Sequence, residues 1–90
     1  MVTKKSFKQG KLIGEITHYF GDIGVAVVKV SNTLKKGDEI RITGGEDTDF
    51  TQKISSMEVE HKKVEKTGKG KEAGLKVKEK VREGYKVYKI

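Results

Sequence analysis

The sequence predicts an all-β domain, a small closed Greek-key β-barrel of six or seven antiparallel strands. Three observations predict it. The chain has ten valines and seven isoleucines against three leucines and two alanines, and β-branched side chains favour strands. Apolar and polar residues alternate with a period of two over several short stretches. Eleven glycines and no prolines punctuate these stretches, so tight turns depend on Gly, Asn and Asp.

The first two strands are predicted to form a hairpin. Residues 10–20 alternate with a period of two, and a turn at 21–22 leads into a second strand over 23–30. One face of the first strand carries Leu12, Gly14, Ile16, His18 and Phe20, and one face of the second carries Ala26, Val28 and Val30. Because the connection is so short, the two strands are expected to pair antiparallel.

The middle of the chain adds two strands. A turn at 35–38 precedes a strand at 39–43, and a polar loop at 44–47 leads into a long strand at 49–61. Within that long strand the apolar residues change parity near Ser55 and Ser56, which predicts a β-bulge.

The last third of the chain adds further short strands. Val64 lies in one of them, residues 67–70 form a loop, and the alternation over 73–77 predicts another strand. Residues 78–84 form either one helical turn or an extended loop before a closing strand at 85–90. A flat sheet of this size would expose its edges, and closure into a barrel removes them.

Composition limits the domain organisation. Ninety residues with 33% hydrophobic content support one small core, so residues 9–90 are expected to form a single free-standing domain behind a flexible basic tail at 1–8. No cysteine is present, which excludes disulfides and thiolate metal ligands. No apolar run reaches the roughly 20 residues that cross a bilayer, and no apolar signal core follows the N-terminus. We therefore expect a soluble, cytoplasmic protein without membrane contact.

Positive charge is concentrated in the last third of the chain. The formal net charge is +7, and residues 61–90 hold eleven basic and four acidic residues. Two interpretations remain open, a lysine-rich solvated surface that keeps a small domain soluble and a face that binds phosphate backbones. Because arginine occurs only at Arg41 and Arg82, any nucleic-acid contact is expected to read shape or backbone rather than sequence. The candidate nucleic-acid-binding residues are Lys62, Lys63, Lys66, Lys69, Lys71, Lys76, Lys78, Lys80 and Arg82.

The sequence contains no convincing pattern of catalytic or metal-ligating residues. A metal site would have to combine His18 and His61 with carboxylates brought together by the fold, but His18 is expected to be a half-buried strand residue and His61 to be exposed. The serines at 55–56 do not lie in a nucleophile-elbow pattern. Glu58 and Glu60 lie two residues apart on one strand face and are expected to pair with strand lysines. We expect no enzymatic activity, no cofactor, no bound metal and no small-molecule substrate.

Two further patterns favour structure over chemistry. Residues 68–71, Gly-Lys-Gly-Lys, lack the spacing and the following helix of a nucleotide-binding loop. They are interpreted as a basic hairpin loop whose free N–H groups could contact a phosphate. Tyr85 and Tyr88 have opposite parity, so together they do not form a base-stacking platform. Tyr19 is the best single exposed candidate for base stacking.

Four segments, in the right order, resemble the second-domain β-barrel of translational GTPases of the elongation factor Tu type. Residues 34–42 resemble L-x-x-G-D-x-(I/V)-x-I, and residues 52–58 resemble the strand that ends in a V-E or M-E step. Residues 71–77 resemble G-(E/D)-x-(V/A)-G-L-x-(V/L), with its first glycine displaced to Gly70, and residues 81–87 resemble the closing (I/V)-x-x-G-x-x-V. The resemblance covers nearly the whole chain and implies a translation-protein barrel.

The opening of the chain resembles another member of the same group of barrels. Residues 14–20, followed by 23–27, are similar to the C-terminal barrel of collagenase-like bacterial peptidases, a domain that is itself not catalytic. No P-loop is present, so the resemblance implies no nucleotide hydrolysis. In the elongation factor the glutamate of the V-E step helps to hold the aminoacyl end of tRNA. Glu58 occupies the similar place here, with His61 where that factor has an arginine, and these two are the candidate family-pocket positions.

Two functions follow from these observations. The first is a non-catalytic, translation-factor-like barrel that binds RNA or a ribonucleoprotein such as the ribosome through its basic face. The alternative is a protein–protein adaptor domain related to the C-terminal module of the collagenase-like peptidases. Weak RNA affinity that falls steeply with salt would mark the first. An exposed apolar patch and nuclease-insensitive capture of a partner would mark the second.

Overall fold

Ten β-strands, and no helix, are found in the part of the chain that the computed structural model describes, residues 10–45 and 48–90. In chain order they are β1 Lys11–Phe20, β2 Val25–Val30, β3 Leu34–Lys35, β4 Glu39–Gly44, β5 Thr48–Lys53, β6 Met57–Val59, β7 Lys62–Lys63, β8 Lys66–Thr67, β9 Glu72–Lys76 and β10 Lys86–Lys89. The predicted all-β class is confirmed, whereas the predicted number of six or seven strands is too low, because several short strands lie between the longer ones. The predicted tail at 1–8 lies outside the described residues.

Eight of the strands form one sheet, in the order β5-β4-β10-β1-β2-β9-β6-β7, and the short strands β3 and β8 form a second sheet. Every pairing is antiparallel, including the predicted hairpin of β1 and β2. Within the described ranges the two edge strands, β5 and β7, do not pair with each other. The side chain of Gln52 instead connects β5 to the end of β9, because its amide donates to the carbonyl of Lys76 (2.8 Å) and its Oε1 accepts from the N–H of Lys78 (2.9 Å).

Strand β1 contains two irregularities that overturn its predicted faces. Val87 pairs with Gly14 but Tyr88 pairs with Leu12, so Ile13 is an extra residue opposite β10. The register with β2 shifts again between Ile16 and His18. Each such bulge reverses the direction of the side chains that follow. As a result Ile13 and Ile16 are buried and Tyr19 packs against the core. Leu12, His18 and Phe20, predicted to share one face with Gly14 and Ile16, are exposed, whereas Gly14 and Ile16 are buried.

The predicted long strand at 49–61 is wrong. The chain leaves β5 at Lys53 and enters β6 at Met57, and these two strands lie near opposite ends of the sheet order. The segment between them is held by the N–H of Ile54, which donates to Asp38 (2.9 Å), and by the carbonyl of Ile54, which accepts from Gly37 (2.9 Å). The parity change near Ser55 and Ser56 therefore marks a crossing between two strands rather than a bulge within one.

The core is made almost entirely of aliphatic side chains. Phe50, which is 7% exposed, is the one aromatic residue among the buried apolar side chains of the described ranges. The alternation predicted for β2 and β9 is confirmed. The buried apolar residues are Ile13, Ile16, Ala26, Val28, Val30, Leu34, Ile40, Ile42, Phe50, Ile54, Met57, Ala73, Leu75, Val77, Val81 and Val87.

Loops and turns place the remaining segments. Residues 78–84 form a loop with a bend at 78–79 and a turn at 83–84, so the alternative of a helical turn is not realised, and β10 follows at Lys86. Glu60 and His61 connect β6 to β7 with backbone φ angles of 54° and 67°. Two consecutive positive φ angles are the geometry of a type I′ hairpin turn, which Asn-Gly usually supplies. Across the described residues, no helix is long and apolar enough to span a membrane.

Candidate functional site

The outer face of the large sheet is crossed by a row of alternating charges. In register, Glu72 lies opposite Lys29, Lys29 opposite Glu15, and Glu15 opposite Lys86. The last pair is an ion pair, with Lys86 Nζ 3.0 Å from Glu15 Oε1. We call these four residues the charge ladder. Opposite charges on directly paired positions favour this register, and the ladder separates two apolar ends of the outer face.

The first apolar end lies at the turn between β1 and β2. Phe20 and Ile23 are 48% and 57% exposed, and the half-buried Val25 and Val27 continue the outer face of β2. We call Phe20, Ile23, Val25 and Val27 the hairpin patch. The ring of His18 lies beside that of Phe20, with centroids 6.3 Å apart and planes inclined by 27°. Adjacent exposed apolar side chains of this kind are typical of interaction surfaces.

Gly74 of β9 adjoins the hairpin patch. It lies opposite Val27 on one side and opposite Glu58 of β6 on the other. Lys76, two residues further along β9, lies opposite Val25. Its side chain is exposed and forms no ion pair with any of the described residues. The patch is therefore bordered by a position without a side chain and by a cation.

The second apolar end lies beyond the charge ladder. Leu12 pairs with Tyr88, and Leu12 and Ile90 are 46% and 49% exposed. Leu12 also lines a depression of about 520 Å³ whose rim carries Lys29, Lys69 and Lys86. Glu15 lies in the same depression and is already paired with Lys86. This end of the outer face thus combines an apolar floor with ammonium groups.

An ion pair connects β4 and β5, the two strands that precede β10 in the sheet order. Arg41 of β4 donates from Nε to Asp49 Oδ1 (2.8 Å) and from Nη2 to Asp49 Oδ2 (2.6 Å). The two hydrogen bonds from Arg41 lower the pKa of Asp49, and the same contacts raise the pKa of Arg41. The ion pair joins the neighbouring strands β4 and β5, and each charged group is the hydrogen-bond partner of the other.

The nine candidate nucleic-acid-binding residues are all exposed, yet the fold distributes them over different places. Lys62 and Lys63 form the edge strand β7, whereas Lys69 lies on the rim of the 520 Å³ depression. Lys80 and Arg82 line a separate open depression of about 840 Å³, together with Tyr19 and Tyr85. None of the nine forms an ion pair with another described residue.

The candidate family-pocket positions, Glu58 and His61, lie on one hairpin. Glu58 is exposed and lies opposite Lys63 in register, without an ion pair among the described residues. Glu60 lies in the turn that follows the strand, so the prediction that Glu58 and Glu60 share one strand face is wrong. His61 occupies the turn, is exposed, and has a positive φ. His18 is also exposed, with Nδ1 3.7 Å from Glu83 Oε2. The prediction of a half-buried His18 is therefore wrong, and so is that of an exposed Tyr19, which packs against the core.

Two other observations bear on chemistry. Within residues 10–45 and 48–90, no three His, Asp or Glu side chains are placed to hold a metal ion. The sequence did not predict the hairpin patch or the role of Gly74 beside it. The register shift after Ile16 turns Phe20 outward, and this shift is not visible in the alternation of residues. The glycine in the middle of the predicted strand 73–77 is the one sequence signal that points to this surface.

Comparison with known proteins identifies a set of peptidases. No protein-family model matches the chain. It is 39% identical over 84 residues to a collagenase of Porphyromonas gingivalis, an alignment that covers 92% of this chain and 23% of the collagenase. It is 36% identical over 76 residues to an uncharacterised protease of Methanocaldococcus jannaschii, covering 84% of this chain and 19% of that protein. The chain thus spans about a fifth of the length of the curated relatives it matches.

Solved structures show the same fold. The C-terminal domain of a candidate U32 peptidase of Geobacillus thermoleovorans superposes with a TM-score of 0.83 at 24% identity, over 89% of this chain and 92% of that domain. Its selenomethionine variant gives 0.82. Together these matches support homology to the C-terminal domain of U32 peptidases and collagenase-like proteins. The resemblance to the elongation factor barrel receives no corresponding support.

Proposed function

We propose that this chain is a non-catalytic, protein-binding accessory domain related to the C-terminal module of the collagenase-like peptidases. The observation that carries the proposal is the 39% identity over 84 residues to a collagenase, confined to 23% of that protein. The domain then serves the peptidase reaction by binding a polypeptide.

Side-chain chemistry supports a binding role. The exposed apolar residues of the hairpin patch, Phe20 and Ile23, offer area that a protein partner would cover. The carboxylates and histidines of the described residues lie apart or in exposed pairs such as His18 with Glu83. Such exposed pairs lack the enclosed setting that acid–base catalysis requires. We also propose that the Gln52 contacts to Lys76 and Lys78 complete the predicted closure of the barrel.

RNA binding remains a second candidate because nine exposed basic residues form no ion pair with other described residues. In this proposal Lys62, Lys63 and their seven counterparts contact phosphates. Their distribution over separate parts of the surface favours diffuse attraction over a defined site. The two candidates predict different responses to salt, since phosphate contacts release counterions whereas apolar burial does not weaken as salt rises.

A binding experiment separates the two candidates. The purified 90-residue chain is titrated with labelled, dephosphorylated β-casein and with labelled poly(U), each at 50 mM and 300 mM salt. We expect casein binding that is retained at the higher salt, poly(U) binding that is weak and falls steeply, and no cleavage of casein. Casein affinity that is absent at both salt concentrations would overturn the proposed function, and casein cleavage by the chain alone would overturn its non-catalytic part.

A further inference from the structure

The three glycines within the described strands, Gly14, Gly44 and Gly74, differ in whether the surrounding packing leaves room for a side chain. A Cβ on Gly14 would lie 2.6 Å from Val28 Cγ1 and 2.7 Å from the carbonyl oxygen of Lys29, so the packing of β1 on β2 excludes a side chain there. A Cβ on Gly44 would overlap the ring of Tyr85. At both positions glycine is required by contacts within the domain.

At Gly74, by contrast, contacts within the domain do not require glycine. A Cβ at this position would lie 3.5 Å from Val25 Cγ1 and 3.9 Å from the carbonyl oxygen of Glu58, which are ordinary van der Waals distances. Its φ lies outside the positive range that favours glycine. Glycine in the middle of a strand costs roughly 0.5–1 kcal/mol relative to alanine. The domain therefore bears this cost where its own packing would accept a larger residue.

A strand glycine of this kind often marks a place where another backbone approaches closely. Gly74 lies on the outer face of the sheet, directly opposite Val27 of the hairpin patch. A chain lying over Gly74 would have Val25, Val27 and Phe20 within reach of its apolar side chains, since these residues occupy the two adjoining rows of the outer face. The missing side chain thus opens a flat path along the β9 border of the exposed apolar surface.

Lys76 is the charged residue beside the path that favours a ligand with a carboxylate at that end. Lys76 lies opposite Val25 at one end of the path and forms no ion pair with the other described residues. The chain as a whole has a net charge of +7, which attracts anionic partners from a distance. Glu58, which lies opposite Gly74, is exposed and forms no ion pair with the described residues, so the carboxylate of a ligand is expected at the Lys76 end of the path and away from Glu58.

We infer that the hairpin patch and Gly74 form a docking surface for an extended polypeptide that carries apolar side chains next to an acidic residue. This inference rests on the proposed protein-binding function and names its surface and its ligand class. Backbone of the polypeptide lies over Gly74, its apolar side chains cover Phe20 and Ile23, and its carboxylate lies near Lys76. A folded acidic protein would instead need a broad surface and would gain nothing from the open path at Gly74.

Matched variants test the surface. Gly74→Thr places a β-branched side chain in the path, and Phe20→Ser removes apolar area from the patch. Leu12→Ser removes a side chain of nearly equal exposure, 46% against 48%, from the opposite end of the same face. Binding to dephosphorylated β-casein is measured by fluorescence anisotropy, with native serum albumin as a folded acidic competitor. We expect losses of about tenfold or more for Gly74→Thr and Phe20→Ser and a change of less than about twofold for Leu12→Ser.

Folding controls and opposing results complete the test. Gly74→Thr is expected to keep or raise the melting temperature, and Gly74→Ala serves if the threonine variant does not fold. The inference is overturned if casein binds Gly74→Thr as well as the unmodified chain, or if Leu12→Ser loses as much affinity as Phe20→Ser. It is also overturned if native albumin displaces casein at equal concentration, because the ligand is then a folded surface. Absence of casein binding by the unmodified chain would instead count against the proposed function itself.

Discussion

Gly44 lies directly against the ring of Tyr85, so closely that a Cβ on Gly44 would overlap the ring carbons. Tyr85 in turn packs against the core. Gly44→Ala should therefore displace the ring and lower the free energy of unfolding by about 1–3 kcal/mol, the usual cost of overpacking. Urea denaturation measures this change. In a Tyr85→Ala background the same substitution should cost much less, and an equal cost in both backgrounds would show that the two residues are not coupled.

Substitution of glycine into the turn at Glu60 and His61 should stabilise the protein. Both residues adopt positive φ angles that cost a non-glycine residue roughly 1 kcal/mol. His61→Gly should raise the free energy of unfolding by about 0.5–1 kcal/mol, since the favoured type I′ turn has glycine in the second position. Thermal unfolding provides the measurement. Lys63→Gly, in the adjoining strand, is the control and should destabilise the protein, whereas a stabilising effect at both positions would argue against a turn-specific cause.

The ion pair of Arg41 and Asp49 should stabilise the protein at neutral pH and lose this effect in acid. Its hydrogen bonds lower the pKa of Asp49 from the ordinary value of 3.8. A carboxyl whose pKa is lowered by folding stabilises the folded state above its unfolded pKa, and this contribution is lost as the pH falls through the folded value. Asp49→Asn should therefore be less stable than the unmodified protein at pH 7, and the difference should shrink below pH 3.8. Chemical denaturation of both proteins across this range tests it, and a difference that grows on acidification would contradict it.

The charge ladder should respond to reversal of a single charge. Lys29 lies between Glu72 and Glu15 on neighbouring strands. Lys29→Glu would place three carboxylates in one row and should destabilise the protein by about 1 kcal/mol, an effect that salt reduces. Lys29→Gln is the matched control and should cost less than half as much, because exposed ion pairs contribute little. If both variants lost similar amounts of stability, and salt did not change these losses, the effect would come from packing rather than from charge.

Local pattern predicted a large part of the fold. The positions of β2, β4, β9 and β10 and the turn at 35–38 follow from alternation and turn residues, which depend on neighbours a few positions apart. The aliphatic core follows from the same alternation wherever the strand is regular. The resemblance of residues 14–20 and 23–27 to the collagenase-like peptidases was likewise readable from local sequence, and the comparisons support it.

Faces and strand order could not be predicted in the same way. The bulges in β1 depend on its two partners, β10 and β2, and each extra residue turns the following side chains to the other side of the sheet. For this reason Phe20, predicted to share a face with Ile16, is exposed whereas Ile16 is buried. The break at 54–56 likewise depends on two hydrogen bonds with residues distant in sequence, one donated by Ile54 to the carbonyl of Asp38 and one donated by Gly37 to the carbonyl of Ile54.

By itself the sequence determined that this protein is built from strands, because β-branched residues in alternation restrict the backbone wherever they occur. The tertiary structure alone decided which side chains reach solvent, since register and bulges arise only when distant strands pair. It gathered Phe20, Val27 and Gly74 from three strands onto one outer face. It also distributed the basic residues of the last third over separate surfaces, because consecutive short strands lead the chain to different parts of the two sheets.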